Sequence, residues 1–215
     1  MHMKEFFQGM YKKPHFAKRF IACLIAVCIM GFCVSWLNLI HLGTDPCSAM
    51  NFGISDRLGM SFGNWQALLN VGLFVVVVLV DKGNIGFGTV LNMFMVGYSC
   101  DFTTWFRQML WPDLQVDNLV IRIVAMLVVL AIFVLAAAIY MSVELGTAPY
   151  DAIPIIIGER QKALSFRIVR IIFDCVVTVI AIAAGATVGI VTVLMAFTIG
   201  PAAAYVKKHI ERFLQ

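Results

Sequence analysis

A short polar break in an otherwise apolar chain occurs twice in this sequence. Residues 42–46 read LGTDP, and residues 145–149 read LGTAP, 103 positions further on. The repetition predicts two copies of one structural unit, and a Gly/Pro break repeated within apolar segments is typical of the central site of membrane transporters. The same offset relates four more pairs, which are Arg19 and Arg122, Gly86 and Gly189, Thr89 and Thr192, and Gly97 and Gly200.

The composition of the chain is that of a membrane protein. Of its 215 residues, 61% are hydrophobic and 13% are charged, whereas soluble domains carry about 25% charged residues. We therefore expect an all-α polytopic membrane protein with about six transmembrane helices in contact with the lipid bilayer. A helix needs roughly 20 apolar residues to cross a bilayer, and the candidate segments cover about 20–41, 65–80, 86–106, 120–143, 168–184 and 187–206.

The predicted spans form two repeats of three, at 18–110 and 119–207, between a basic amphipathic segment at 1–17 and a C-terminal tail at 208–215. Because three is an odd number, the second repeat is expected to lie in the membrane with inverted topology. If the N-terminus is cytoplasmic, 13 of the 16 Lys and Arg residues lie on the cytoplasmic side, as the positive-inside rule requires. The charges thus predict that both termini are cytoplasmic. An arrangement with eight membrane segments stays open.

Each LGTxP motif encodes a helix stop, a cap and a helix restart. Glycine commonly follows the last turn of a helix, threonine or aspartate can cap the next helix, and proline suits its first turn. We therefore expect a short re-entrant or interfacial helix after each motif, from Pro46 to Leu58 and from Pro149 to Gly158, the second broken at Pro154. Such a helix start exposes N–H groups that can bind an anion or a carboxylate.

A carboxylate lies near both predicted helix starts, although at different places. Asp45 lies inside the first motif and Ser48 follows it, whereas the second motif has Ala148 and then Asp151 at these two positions. In a solute site these acids can bind a proton, a sodium ion or a substrate amine. Alternatively, each acid only caps its helix and interacts with the helix dipole.

A charged pair within apolar sequence adds to the candidate site. Arg170 and Asp174 are four residues apart on one helix face, and the first repeat offers an uncharged pair, Gln66 and Asn70, in the corresponding region. The charged pair either binds solute or forms a structural bond between helices. The predicted substrate- or ion-binding residues are Gly43, Thr44, Asp45, Pro46, Ser48, Gly146, Thr147, Pro149, Asp151, Arg170 and Asp174.

Other features indicate packing rather than chemistry. The repeated glycines Gly86, Gly97, Gly189 and Gly200 predict close helix contacts, including a candidate homodimer contact. The six cysteines lack metal-ligand spacing, and no catalytic, nucleotide-binding or nucleic-acid-binding motif is present. We therefore expect no enzymatic activity, no cofactor, no metal and no nucleic-acid partner.

The sequences LGTDPCS and LGTAPYD, with the Gly-x-x-Thr segments that follow them, resemble those of the YitT/YczE-type small bacterial integral membrane proteins. The resemblance extends over nearly the whole chain. It implies a multi-span protein of the inner membrane with transport activity as an expectation, and it supplies no substrate.

The leading functional hypothesis is a secondary transporter or facilitator of a small polar solute or ion, with the site formed by the two LGTxP motifs. One alternative is a non-transporting scaffold or a substrate-binding subunit that needs a partner. A third hypothesis is an intramembrane enzyme, which would act on a lipid-linked substrate.

Overall fold

The computed structural model describes residues 15–81, 83, 85–161 and 164–195, and the regular structure in these residues is helical. A helical segment at 190–195 follows the seventh helix. The predictions for Gly200, for the tail at 208–215 and for most of the segment at 1–17 lie outside the described residues. Within the described residues, the seven helices that precede this segment are α1 (Phe16–Ile40), α2 (Pro46–Leu58), α3 (Phe62–Val80), α4 (Phe87–Leu110), α5 (Leu119–Ser142), α6 (Pro149–Arg160) and α7 (Phe166–Ala183).

The outward faces of the long helices are apolar. Helices α1, α3 and α5 are long and apolar enough to cross a membrane. Large apolar side chains stand exposed on them and on α7, among them Leu79 at 80%, Val120 at 68% and Val179 at 65% exposure. Lipid is the solvent in which such surfaces are stable. Helices α4 and α7 coincide with two further predicted spans, whose crossing of the membrane stays a prediction.

Helix α1 runs parallel to α4 through most of its length. The rings of Phe16 and Phe87, at the first residues of the two helices, lie 5.5 Å apart, and the hydroxyls of Ser35 and Thr104, further along both, are hydrogen-bonded at 2.7 Å. Between these contacts Gly31 lies so close to the α4 backbone that a Cβ atom there would overlap the Val96 carbonyl. Close approach at a small residue is how membrane helices pack most tightly.

Helix α1 runs antiparallel to α5, and two arginines fix this orientation. Arg19, near the start of α1, donates a hydrogen bond to the Val143 carbonyl at the end of α5, at 3.1 Å. Arg122, near the start of α5, donates to the Ile40 carbonyl at the end of α1, at 2.8 Å. Each guanidinium thus satisfies a carbonyl that the last turn of a helix leaves unpaired. The two contacts are related by the 103-residue offset of the sequence.

A buried cluster at the centre of the molecule is built mainly from α1, α5 and the segment at 190–195. Val34 and Leu37 of α1 pack there with Phe133 of α5 and with Val191 and Met195. Val191 and Met195 are fully buried, which places the start of the last helical segment in the core. The core therefore joins helix α1 to the helical segment near the end of the described residues.

Each short helix packs against a long helix from the other half of the chain. Helix α2 contributes Ala49 to a buried cluster with Val177 and Ala181 of α7. Helix α6 contributes Ala152 and Ile156 to a buried cluster with Val77 of α3. The two halves are consequently interlocked rather than folded side by side.

The expected break at Pro154 is wrong, because α6 continues through this residue from Pro149 to Arg160. A proline inside a helix removes one hydrogen bond and crowds the carbonyl four residues before it. Here Ala152 and Ile156, on both sides of the proline, are buried against α3. Packing on either side of Pro154 accounts for the continuity of the helix.

Candidate functional site

The two LGTxP motifs follow the same backbone path. His41 and Glu144, at the ends of the preceding helices, both have positive φ angles, of 54° and 53°. Gly43 and Gly146 follow with φ angles of 95° and 111°, a region that glycine enters at little cost. The next helix then begins at the proline in both cases. The predicted helix stop and restart are therefore present in both copies.

Each motif lies against the start of a helix from the opposite half of the chain. The Gly88 N–H donates to the Leu145 carbonyl at 2.7 Å, and the Val191 N–H donates to the Leu42 carbonyl at 3.2 Å. The two bonds are equivalent, because Val191 lies 103 residues after Gly88 and Leu145 lies 103 residues after Leu42. The motif of one half is therefore held by the last helical segment of the other half.

The repeated glycines make this approach sterically feasible. A Cβ atom on Gly86 would overlap the Leu145 carbonyl, and one on Gly189 would overlap the Leu42 carbonyl. Gly97 lies close to Gly63 of α3, where a Cβ atom would come within 2.8 Å of the Gly63 Cα atom. These three glycines thus contact other helices of their own chain, and a homodimer formed through the glycine faces stays a prediction.

A cavity of about 470 Å³ lies between the two motifs. This volume falls within the range of about 300–1,000 Å³ that is typical of small-molecule sites. Its walls include equivalent positions from both motifs, Asp45 with Ala148 and Ser48 with Asp151. Further lining residues come from α1, α3, α4, α5, α7 and the segment at 190–195, namely Met30, Val34, Gln66, Asn70, Asn92, Val96, Phe133, Ala137, Tyr140, Met141, Phe166, Arg167, Arg170, Ile171, Asp174 and Met195, together with Pro46, Cys47 and Tyr150 beside the motifs.

The wall formed by α6 and α7 carries a closed network of charges. The Arg170 guanidinium contacts Asp151 at 2.6 Å and Asp174 at 3.0 Å. The Tyr150 hydroxyl donates to the second oxygen of Asp174 at 2.8 Å, and the guanidinium lies 5.5 Å from the centre of the Tyr150 ring. Asp174 is buried, and its two carboxylate oxygens both have partners. Paired in this way, a buried charge is tolerated.

Two other lining residues, Asp45 and Gln66, carry acceptors that have no partner in the protein. The Asp45 Oδ2 atom accepts the Ser48 N–H at 2.9 Å, as expected of an N-cap residue. The Asp45 Oδ1 atom is buried and has no hydrogen-bond partner, and the same is true of Gln66 Oε1. Buried acceptors without donors are rare in folded proteins and call for an explanation. Both side chains line the cavity.

The structure divides the predicted site residues into two groups. Asp45, Pro46, Ser48, Asp151, Arg170 and Asp174 line the cavity. Gly43, Thr44, Gly146, Thr147 and Pro149 do not line it, and the glycines and prolines among them shape the backbone that surrounds it. That the lining residues bind a solute stays a prediction.

The capping role expected of Thr147 is wrong. The N-cap residue of α6 is Ala148, which has no side chain that can accept a hydrogen bond, and the first turn carries Asp151 instead. A carboxylate in the first turn interacts favourably with the helix dipole without capping it. The second motif therefore begins its helix with a different device from the first.

Sequence reasoning missed several residues of the cavity. Tyr150 was not identified, although its place directly after Pro149 puts it in the first turn of α6 beside Asp151. Tyr140, Phe133 and Asn92 have no local signal, because their positions in the cavity depend on how α4 and α5 pack. Among the described residues, no group of three or more His, Cys, Asp and Glu side chains is arranged to hold a metal ion.

Comparisons with known proteins place the chain in a family. The profile of a family described as a family of unknown function, DUF6198, matches residues 17–208. A Haemophilus influenzae protein described as uncharacterized is 27% identical over 177 residues, which are 82% of this chain and 78% of that protein. The uncharacterized membrane protein YczE of Bacillus subtilis is 24% identical over 159 residues, which are 74% of this chain and 71% of YczE. No solved structure matches this chain significantly. The match to YczE agrees with the resemblance carried by the two motifs.

Proposed function

This chain belongs to the DUF6198 family and is a helical membrane protein, and on that premise we propose that it is a secondary transporter or facilitator of a small polar solute or ion. The observation that carries the proposal is the shared cavity. Both motifs contribute lining residues to it at equivalent positions, while each motif is hydrogen-bonded to the opposite half of the chain.

The architecture of the proposal is six membrane-spanning segments in two inverted repeats of three. The antiparallel packing of α1 and α5 supports it, because two equivalent helices that cross one membrane antiparallel belong to oppositely oriented units. The parallel packing of α1 and α4 supports three spans per repeat, since the first and third spans of such a unit run in the same direction. Irregular backbone at membrane depth is stable where it lines a cavity, and both motifs do so here.

This arrangement suggests how access to the site can alternate. Each motif contacts the other half through its glycines, and few side chains intervene between the two backbones. Rocking of one half against the other opens the cavity to one side of the membrane while it closes the other side. The paired charges of Asp151, Arg170 and Asp174 join α6 to α7, and they move together in such a step.

Reconstitution into liposomes tests the proposal. A thermal-shift screen of the purified protein against amino acids, organic acids, amines, vitamins and inorganic ions first identifies solutes that stabilise it, and uptake of those solutes into proteoliposomes is then measured. We expect uptake to fall at least about tenfold when Asp45→Asn and Asp151→Asn are combined, because a charge-assisted contact contributes more than about 1.4 kcal/mol.

The matched control is Asp56→Asn, which removes a carboxylate from the exposed end of the same short helix, away from the cavity. Uptake that is unchanged in the double variant, or reduced equally by the control, would contradict the roles given to the two acids. Binding without uptake of any solute would instead favour a substrate-binding subunit that needs a partner. The absence of enzymatic activity stays a prediction.

A further inference from the structure

The places at which an anion could bind beside the two motifs are already occupied by the protein. At the start of α2, the Asp45 carboxylate accepts the free Ser48 N–H. At the start of α6, the first turn carries Asp151, whose carboxylate also takes the Arg170 guanidinium. A helix N-terminus and an arginine are the usual partners of a bound anion. Here the helix N-termini and Arg170 interact with carboxylates of the protein itself.

Two hydrogen-bond acceptors of the residues that line the cavity have no donor in the protein. The Asp45 Oδ1 atom and the Gln66 Oε1 atom are buried without a hydrogen-bond partner. Gln66 is only 5% exposed, and both residues line the same cavity. An acceptor that bulk solvent does not reach is satisfied by a donor that enters the cavity, either water or a solute. The missing partner is therefore a hydrogen-bond donor.

The formal charge of the cavity favours a cationic donor. Three carboxylates line it, those of Asp45, Asp151 and Asp174, against the two guanidinium groups of Arg167 and Arg170. Among the lining carboxylates, Asp151 and Asp174 both pair with Arg170, whereas Asp45 has no ion pair within the described residues. An opposite charge held close to it in a low-dielectric site is strongly favoured.

The remaining walls suit a small apolar substituent. Met30, Val34 and Phe133 line the cavity. The hydroxyls of the two lining tyrosines are engaged elsewhere, that of Tyr140 with the Gly88 carbonyl at 3.3 Å and that of Tyr150 with Asp174. Neither tyrosine therefore offers a free hydroxyl donor to the cavity.

We infer that the cavity binds a small organic cation, a primary ammonium with a short apolar substituent, beside Asp45 and Gln66. The inference deepens the proposed function, on which it rests for the view that the cavity is a solute site, by naming the class of the solute. The ammonium group supplies N–H donors and the positive charge that Asp45 lacks, and the apolar substituent lies against the α1 and α5 residues that line the cavity.

Three probes of similar size and different charge test the inference. Butylammonium, butyrate and butanamide are titrated into the purified full-length protein while the melting temperature is followed, since stabilisation grows with ligand concentration relative to Kd. We expect saturable stabilisation by butylammonium, and Kd values at least about tenfold higher for butyrate and butanamide, which lack the charge-assisted donor.

Two variants locate the binding. Asn is as good an N-cap residue as Asp, so Asp45→Asn keeps the Ser48 contact and removes only the charge. We expect it to raise the Kd of butylammonium at least about tenfold, and Gln66→Leu to raise it as well, while Asp56→Asn leaves it unchanged. Absence of a saturable butylammonium shift, equal binding of the three probes, or equal responses of Asp45→Asn and Asp56→Asn would each overturn the inference.

The cation site and the transport activity can be contradicted separately. Butylammonium binding without uptake of any solute into proteoliposomes leaves the cation site standing and contradicts transport. Uptake of an anion or a neutral solute, without butylammonium binding, contradicts the cation site and leaves transport standing.

Discussion

The two LGTxP motifs have one backbone and two chemistries. Both pass through a positive-φ glycine and restart a helix at a proline. The first motif caps its helix with Asp45 and leaves one carboxylate oxygen free, whereas the second has Ala148 at the cap and binds its Asp151 to Arg170. Glycine and proline fix the path of the chain at both motifs, so the side chains between them are free to differ. The cavity between the two motifs is therefore asymmetric in charge, although the backbone around it is repeated.

The same contrast extends to the long helices that face the motifs. On α7 the cavity is lined by Arg170 and Asp174, which are bonded to each other, and on α3 by Gln66 and Asn70, which carry no charge. The charged residues of α7 are thus paired with each other, whereas Gln66 on α3 has a buried acceptor with no partner in the protein.

The largest effect is expected where the halves touch. Gly86→Ala and Gly189→Ala each place a Cβ atom against a backbone carbonyl of the opposite motif, which cannot move aside as a side chain can. We expect each to cost more than about 3 kcal/mol, the upper end of overpacking effects, and to do so equally in both halves. Melting of the purified variants measures this. As a control, Gly72→Ala meets no neighbouring atom, and we expect it to stabilise α3 by about 0.5–1 kcal/mol.

Loss of the charged network of α6 and α7 should lower the stability less than the glycine substitutions do. Asp174→Ala removes the partner of both Arg170 and Tyr150, so we expect a loss of about 2 kcal/mol. This is below the 3–5 kcal/mol of a fully buried pair, because the Arg170 side chain is 26% exposed and can turn towards water. Denaturant unfolding of the variant checks the value. A loss no greater than that of the exposed control Asp56→Ala would show that the network is not structural.

The two helix starts should differ in their response to loss of the polar side chain. Asp45→Ala removes the cap of α2, and we expect it to destabilise the protein by about 1 kcal/mol. Thr147→Ala, in the second motif, removes no cap and should change the stability by less than about 0.5 kcal/mol. Equal destabilisation by the two substitutions would contradict the difference between the motifs.

The smallest effect on stability is expected at the uncharged wall, with the opposite sign. Gln66→Leu removes a buried acceptor that has no partner in the protein, so it should be neutral or stabilising by up to about 1 kcal/mol. The same variant should bind solute more weakly. A residue that costs stability and serves binding is a functional residue, whereas a clear loss of stability in Gln66→Leu would identify a structural role instead.

The sequence predicts the backbone of the two motifs and the positions of the long helices well. The offset of 103 residues identifies the equivalent backbone of the two motifs, and apolar segments locate α1, α3, α4, α5 and α7 to within a few residues, because span length is set by the bilayer. It does not reveal that each motif packs on the opposite half. The offset between two copies of a motif is the same whether each copy packs within its own half of the chain or against the other half.

The chemistry of the site is less predictable than its frame. Arg170 with Asp174 is recognisable as a pair at helical spacing, but Asp151 joins it only through the packing of α6 on α7. Likewise, a free oxygen on Asp45 depends on which donors the surrounding helices bring near it. Long-range packing therefore decides which polar residues are paired and which remain available.

The central claim is that two oppositely oriented halves enclose one site, and labelling of two equivalent positions tests it most directly. Asp56 and Glu159 are 103 residues apart, at the exposed ends of α2 and α6. In a variant without the six native cysteines, Asp56→Cys and Glu159→Cys are introduced one at a time and treated with a membrane-impermeant maleimide. The account predicts labelling of position 56 in intact cells, and of position 159 only after the membrane is opened. Labelling of both positions from the same side would contradict it.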